Sequence, residues 1–135
     1  MYYVLIWNEE LNINTEIAML KPTQHFERRI SQRGISFAMV KWTIDNGEIK
    51  GDKFITTRKM VRSIVSKMNA RINKLSRLKA KFKHFNVARL IDKARNRLLA
   101  QKKIALKILA KGGVTVVVDN AALITAYDVE SYKKY

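Results

Sequence analysis

A long basic segment with regularly spaced apolar residues most constrains how this chain can fold. Residues 58–111 contain 18 Lys and Arg and a single acid, Asp92. Their apolar residues recur at alternating four- and three-residue steps, the heptad-like pattern of paired helices. This stripe contains Val61, Val65, Met68, Ile72, Leu75 and Phe82, followed by Val87, Ile91, Ala94, Leu98, Ala105 and Ile108.

The stripe predicts two helices of about 24 residues, each roughly 36 Å long, that pack as an antiparallel hairpin. Lys83 to Asn86 is the predicted turn, with Asn86 as the N-cap of the second helix and His84 exposed to solvent. Gly112-Gly113 is the predicted end of that helix.

The charge of the chain is concentrated in the same segment. The net charge is +16, yet the residues outside 58–111 comprise nine basic and ten acidic side chains. A nearly neutral body therefore carries one very basic segment, and such a concentrated positive field attracts polyanions. The predicted nucleic-acid-binding residues are Arg58, Lys59, Arg62, Lys67, Arg71, Lys74, Arg77, Lys79, Lys81, Lys83, Arg89, Lys93, Arg95, Arg97, Lys102 and Lys103.

Three interpretations of the basic hairpin stay open at this point. It is an arm that grips RNA such as tRNA, rRNA or the ribosome, because Lys- and Arg-rich helices contact phosphates without reading sequence. Alternatively it docks an acidic protein, such as a cognate antitoxin or immunity protein. In the third interpretation the chain is a non-catalytic nucleic-acid-binding protein. Membrane binding is not expected, because the apolar stripe is narrow and helix pairing accounts for it.

The rest of the chain predicts short helices and strands of a single domain, 1–135. The predicted strands are Tyr2 to Trp7, a strand or broken hairpin over Glu48 to Thr57, and a hairpin of Val114 to Val118 and Leu123 to Tyr127. The predicted helices are about Gln24 to Gln32, capped by Thr23, and Phe37 to Asp45, capped by Ser36 and closed by Asn46-Gly47 in the left-handed conformation.

These elements predict an α+β fold, with a small antiparallel sheet, N-terminal helices packed on it and the helical hairpin. Residues 1–57 and 113–128 form the expected body, and 58–111 is the expected insertion. Trp7 and Trp42 are expected in the core, although Trp42 on a helix surface could stack on a base.

Several kinds of site are not expected. The chain has no Cys, two His and no tight carboxylate cluster, so neither a metal site nor a disulfide is predicted. Asp119 and Asp128 are interpreted as turn residues, and no phosphate loop follows Gly112-Gly113, so no cofactor is predicted. The apolar runs are far shorter than the roughly 20 residues that cross a bilayer, and the N-terminus lacks signal-peptide features. We therefore expect a cytoplasmic protein.

One helix face carries a candidate for phosphoryl chemistry. His25, Arg29 and Arg33 are spaced four residues apart, so they form one stripe. Imidazole transfers protons near neutral pH, and guanidinium offers a fixed fork to phosphate oxygens. The same three residues on a merely solvated helix face are the competing interpretation. On the last predicted strand, Thr125 and Tyr127 alternate to one face, where their hydroxyls could meet a substrate, although ordinary strand formers would look the same.

The pattern His-x-x-x-Arg-x-x-x-Arg-Gly-Ile at 25–35, a Val-rich strand at 116–119 and the closing Ile-Thr-Ala-Tyr at 124–127 resemble a family of small bacterial domains. That family is related to the RelE/ParE and BrnT toxins, within the barnase-, colicin- and RelE-like ribonucleases. The resemblance covers about residues 20–57 and 113–128, and the family has no counterpart of the basic hairpin.

The resemblance implies an RNA-targeting toxin of the metal-independent endoribonuclease type. In that chemistry the ribose 2′-hydroxyl attacks the neighbouring phosphate, and the enzyme supplies proton transfer and charge stabilisation. Carried over to this sequence, His25 is the acid/base group, and Arg29 and Arg33 hold the phosphate. Thr125 and Tyr127 then orient the substrate or donate a proton.

Overall fold

The protein consists of a small sheet, two short helices on it and a long helical hairpin. The structure, a computed structural model, describes residues 21–119 and 122–128. The helices are α1 (Gln24–Gln32), α2 (Phe37–Asn46), α3 (Arg58–Lys81) and α4 (Val87–Ala110). The strands are β1 (Lys21–Pro22), β2 (Glu48–Lys50), β3 (Lys53–Ile55), β4 (Val114–Asp119) and β5 (Ala122–Asp128). The predicted α+β class is confirmed.

The sheet has the strand order β1-β5-β4-β3-β2. Strands β2 to β5 are antiparallel, while β1 pairs parallel with the first two residues of β5. The register between β4 and β5 shifts at Val117/Val118, so that Ile124 is an extra residue in β5. Beyond this bulge Ala126 and Asp128 face the core, and the half-buried Thr125 and Tyr127 alternate to the other face.

The two short helices supply much of the core because their apolar residues face the sheet. Thr23 Oγ1 accepts a hydrogen bond from the backbone N–H of Phe26 at 3.0 Å, and Ser36 Oγ accepts one from Met39 at 3.2 Å. Both are N-caps that the sequence predicted. Helix α1 packs on β5, and α2 packs on β3 and β4. Phe26 and Trp42 are among the largest fully buried side chains.

The hairpin has a root inside the core and an arm beyond it. Val61 and Val65 of α3 and Ala105 and Ile108 of α4 belong to the same apolar cluster as the sheet. Helix α4 also packs on α2. From 73 to 104, in contrast, no residue is buried, and the two helices contact mainly each other. Apart from Ile104, which packs against the core, the arm is therefore stabilised mainly by its own seam.

The chain enters and leaves the hairpin at one point, where Thr56 and Val114 meet. The carbonyl of Val114 accepts hydrogen bonds from the Thr56 N–H at 3.0 Å and from Thr56 Oγ1 at 2.9 Å. Val114 N–H donates in turn to Thr56 Oγ1 at 2.8 Å. Thr56 is 2% exposed, so these bonds are shielded from water and close the root of the hairpin.

Three details of the sequence prediction differ from the structure. Gly47 has φ −72°, so α2 does not end in the left-handed conformation; Gly is required there because a Cβ would overlap the carbonyl oxygen of Thr43. Asn86 occupies the predicted N-cap position, but it is helical and its side chain makes no cap, because the turn of 82–86 already runs into α4 through backbone bonds. Val87 is 43% exposed rather than in the seam, and it is the first residue of α4, directly after the turn.

The predicted strand Tyr2 to Trp7, the turn at Asn120 and the C-terminal residues after 128 lie outside the described residues. Across the helices of 21–119, none has an apolar stretch long enough to span a bilayer.

Two glycines with positive φ provide a matched test of the hairpin root. Gly113 has φ +107°, and a Cβ there would overlap the Thr56 carbonyl, whereas Gly51 has φ +61° and open space around it. We expect Gly51→Ala to lower the free energy of unfolding by about 1 kcal/mol. Gly113→Ala should lower it by at least about 3 kcal/mol, because the backbone of the root must move.

Chemical denaturation monitored by circular dichroism measures both variants. Equal losses for the two variants would contradict the tight contact at the root.

Candidate functional site

The predicted proton-transfer and phosphate residues of α1 lie on its solvent side. Phe26 and Ile30 face the core, so His25 and Arg29, one position earlier in each turn, are exposed. Within the described part of the chain, neither side chain makes a hydrogen bond or an ion pair. Both groups are therefore available to a ligand. The same exposed position is also typical of side chains that are simply solvated.

Arg33 differs from the other two because it is fixed against the sheet. Its Nη1 donates to the carbonyl oxygen of Ala126 at 2.7 Å and to Thr125 Oγ1 at 3.2 Å. These acceptors lie on β5 beyond the two residues that β1 covers. The guanidinium thereby satisfies a strand edge that would otherwise expose an unpaired carbonyl. Its Nε and Nη2 atoms make no hydrogen bond among the described residues, so they remain available to an anion.

The structure thus brings Arg33 and Thr125 together, although 92 residues separate them in the chain. Tyr127 is half-buried on the same face of β5 as Thr125. No hydrogen bond links His25 or Arg29 to β5 within the described residues. The predicted constellation is therefore divided into an exposed helical pair and a fixed group at the strand edge.

Two residues of this region were missed as a pair by the sequence analysis. Lys111 Nζ donates to the backbone carbonyl of Arg33 at 2.9 Å and lies 3.4 Å from Asp128 Oδ2. Asp128 is 3% exposed and ends β5, so its interpretation as a turn residue is wrong. A buried carboxylate requires a cation, and Lys111 supplies it. Lys111 thereby ties the ends of α1, α4 and β5 together.

The basic residues of the hairpin lie largely on its outer surface. Of the sixteen predicted nucleic-acid-binding residues, all except Lys79, Arg95 and Lys102 are exposed. The apolar stripe is taken up by helix pairing: Val61, Val65 and Ile72 are buried, and Met68 and Leu75 are half-buried. The cations therefore point away from the seam, where phosphates can reach them.

The single acid of the hairpin is neutralised across the seam. Asp92 Oδ1 accepts a hydrogen bond from Lys79 Nζ at 2.7 Å, and Arg95 Nη1 lies 3.8 Å from the same oxygen. The hydrogen bond from Lys79, with smaller help from the charges of Lys79 and Arg95, lowers the pKa of the Asp92 carboxyl. Asp92 thus serves helix pairing and leaves the outer faces free of negative charge.

Burial decides whether Trp42 is available to a base. Trp42 is 2% exposed in the core, so it is not available to stack on a base. Across 21–119 and 122–128, no group of three His, Asp or Glu side chains is placed to hold a metal ion.

Replacement of two arginines distinguishes the fixed group from the exposed one. Arg33→Gln removes a charged donor to Thr125 and Ala126, and should lower the free energy of unfolding by about 1 kcal/mol. Arg29→Gln changes an exposed side chain of the same helix and should stay within about 0.5 kcal/mol of the parent. Thermal or urea unfolding measures both. Equal stability of the two variants would show that the strand-edge contact does not form.

Comparisons with known proteins add nothing to this geometry. No family model, no curated protein and no solved structure matches the chain. The resemblance to the RelE/ParE and BrnT toxins, carried by residues 25–35 and 116–127, therefore stays a prediction from the residue pattern.

Proposed function

We propose that the protein binds RNA through the helical hairpin of residues 58–111. The observation that carries the proposal is the placement of charge: the paired helices carry 18 basic residues and one neutralised acid, and thirteen of the sixteen predicted nucleic-acid-binding residues are exposed. Ordinary helix surfaces mix both signs of charge, which limits non-specific attraction. A surface of one sign instead releases the counterions of a polyanion, and that release drives binding.

The shape of the arm suits a structured RNA. Each helix has 24 residues and is therefore about 36 Å long, so the cations are spread along a rod rather than gathered in a pocket. Along α3, Lys67, Arg71 and Lys74 follow one another on one exposed side of the helix. Such a row contacts successive phosphates and leaves the bases unread. We expect RNA shape, rather than base sequence, to determine affinity.

Salt dependence tests RNA binding by the hairpin directly. The triple variant Lys67→Gln, Arg71→Gln, Lys74→Gln should bind a structured RNA more weakly and with a shallower salt dependence. The slope of log K against log salt should fall by roughly 2–3, since each lost phosphate contact contributes about 0.7–0.9. Fluorescence anisotropy over a salt series measures both quantities.

A matched triple variant controls for the loss of net charge. Lys41→Gln, Lys50→Gln, Lys53→Gln removes three cations from the body and should change the slope far less. An equal effect of the two triple variants would contradict RNA binding by the hairpin.

An acidic antitoxin-like or immunity-like protein is the other ligand that this surface suits. Weak RNA binding at physiological salt, together with tight binding of such a protein, would favour it.

RNA cleavage by the body is a second candidate function, supported by the hydrogen bond between Arg33 and Thr125. That contact places α1 beside β5, the two elements that carry the toxin-like motif. In the proposed reaction His25 accepts or donates a proton, while Arg29 and the unengaged nitrogens of Arg33 stabilise charge on the phosphate. Thr125 and Tyr127 border the same strand edge. The 2′-hydroxyl then attacks the adjacent phosphate and the 5′-oxygen leaves.

If the body cleaves RNA, replacing His25 should slow the reaction, and replacing an exposed neighbour should not. His25→Ala should slow RNA cleavage by at least about 100-fold, because general acid–base catalysis contributes that much. Gln32→Ala, on an exposed position of the same helix, should be unaffected. Gel analysis of total RNA, with and without ribosomes and in the presence of EDTA, measures the rates. Intact RNA under every condition, or equal rates for His25→Ala and the parent, would rule out this second candidate.

A further inference from the structure

The turn of the hairpin exposes apolar side chains that the seam does not use. Phe85 is 63% exposed and Leu90 is 67% exposed, although both are large and apolar. Neither belongs to the predicted stripe, and both lie at the end of the arm farthest from the root. We call this region, residues 81–93, the tip. Exposed apolar side chains that lie together within polar surroundings often mark a binding surface.

The tip has a concave surface in which apolar and basic groups alternate. An open groove of about 780 Å³ lies there, within the size range of roughly 300–1,000 Å³ that is typical of ligand sites. The residues that line it are Lys83, Phe85, Asn86, Ala88, Arg89, Leu90 and Lys93. Three cations thus border one aromatic ring and one leucine, with no acid among the lining residues.

The aromatic ring is held in place while remaining accessible. Phe82 and Phe85 pack edge-to-face, with ring centroids 5.9 Å apart and an interplanar angle of 72°. Lys81 Nζ lies 5.8 Å from the Phe82 centroid, so the inner ring is occupied by its own neighbours. Phe85, the outer ring, is mostly exposed. A fixed aromatic ring is better suited to stacking than a mobile one, because less entropy is lost on binding.

We infer that the tip binds an unpaired nucleotide of a structured RNA. The base stacks on Phe85 beside Leu90, and Lys83, Arg89 and Lys93 contact the flanking phosphates. This inference rests on the proposed function, since the rest of the arm supplies the contacts to paired RNA. It goes further by naming the element that the tip selects: a bulge or loop, whose base is free to leave the stack.

Charge and continuity favour a nucleotide over an acidic peptide as the occupant. The groove continues the basic surface of α3 and α4. A ligand that binds both the groove and this surface must therefore carry negative charges spaced along the arm. A nucleic acid combines that charge with flat apolar faces, and base stacking on aromatic side chains is a recurrent mode of single-strand binding. An acidic helix matches the charge but needs an aromatic side chain in the right place to stack on Phe85, whereas every nucleotide carries a base.

Two RNAs that differ in one unpaired nucleotide test the inference. One is a perfectly paired RNA hairpin closed by a stable loop, and the other carries a bulged 2-aminopurine in its stem. We expect the parent protein to bind the bulged RNA more tightly and to change the 2-aminopurine emission on binding. Phe85→Ala should weaken binding of the bulged RNA by roughly 10-fold. Its affinity for the paired RNA should stay within about 2-fold, because phosphate contacts persist.

Further variants separate stacking from loss of structure. Phe85→Tyr keeps the ring and should retain the preference, while Phe85→Leu keeps an apolar group but should lose it. Leu90→Ala should weaken binding of the bulged RNA in the same direction. Leu106→Ala, an exposed leucine near the root at 44% exposure, should have no effect.

The outcomes distinguish this inference from the proposed function. Binding of both RNAs with equal affinity, unaffected by Phe85→Ala, would overturn the inference and leave RNA binding by the arm intact. Binding of neither RNA would overturn both. Phe85→Ala could also lose as much affinity for an acidic polyglutamate peptide as for the bulged RNA. That result would assign the groove to general anion binding and would overturn the inference.

Discussion

The hydrogen bonds between Thr56 and Val114 are the interaction on which the rest of the structure depends. They join the start of α3 to the end of α4, and so close a segment of more than fifty residues at its root. Closing a segment of that length opposes folding through chain entropy. Burial of Val61, Val65 and Ile108 beside this point offsets that loss, because the same residues complete the core of the body.

The paired helices could be predicted because the spacing of apolar residues within each helix is a local feature of the sequence. Apolar spacing within α3 and α4 predicted helices of about 24 residues, and the structure has 24 in each. The caps at Thr23 and Ser36 follow from residue type and position alone. The α+β class then followed from the order of helical and strand patterns.

The contacts of the candidate site depend on residues far apart in the chain. The bond from Arg33 to β5 and the ion pair of Lys111 with Asp128 depend on how three elements meet, which no local pattern encodes. The exposed tip was missed for another reason: Phe85 and Leu90 break the heptad spacing, and a spacing rule treats such residues as incidental. The long-range contacts and the exposed tip both involve residues that contribute neither to helix formation nor to the seam.

The basic helices and the candidate site around Arg33 occupy different parts of the molecule, yet they meet at one residue. Lys111 ends the basic segment and also holds Asp128 and the carbonyl of Arg33. A ligand that pulls on the arm would therefore act on the same helix end that positions Arg33. The body and the arm are thus mechanically connected at the root, even though the arm from 73 to 104 contributes no buried side chain.

The self-contained seam of the arm also makes its reach adjustable. Because the residues of the hairpin that pack on the core end at Met68 in α3 and at Ile104 in α4, insertion or removal of one heptad in each helix beyond these residues replaces no core residue. Each heptad moves the tip by about 10.5 Å while preserving the register of the pair. The number of heptads in the arm therefore sets the distance between the tip and the body.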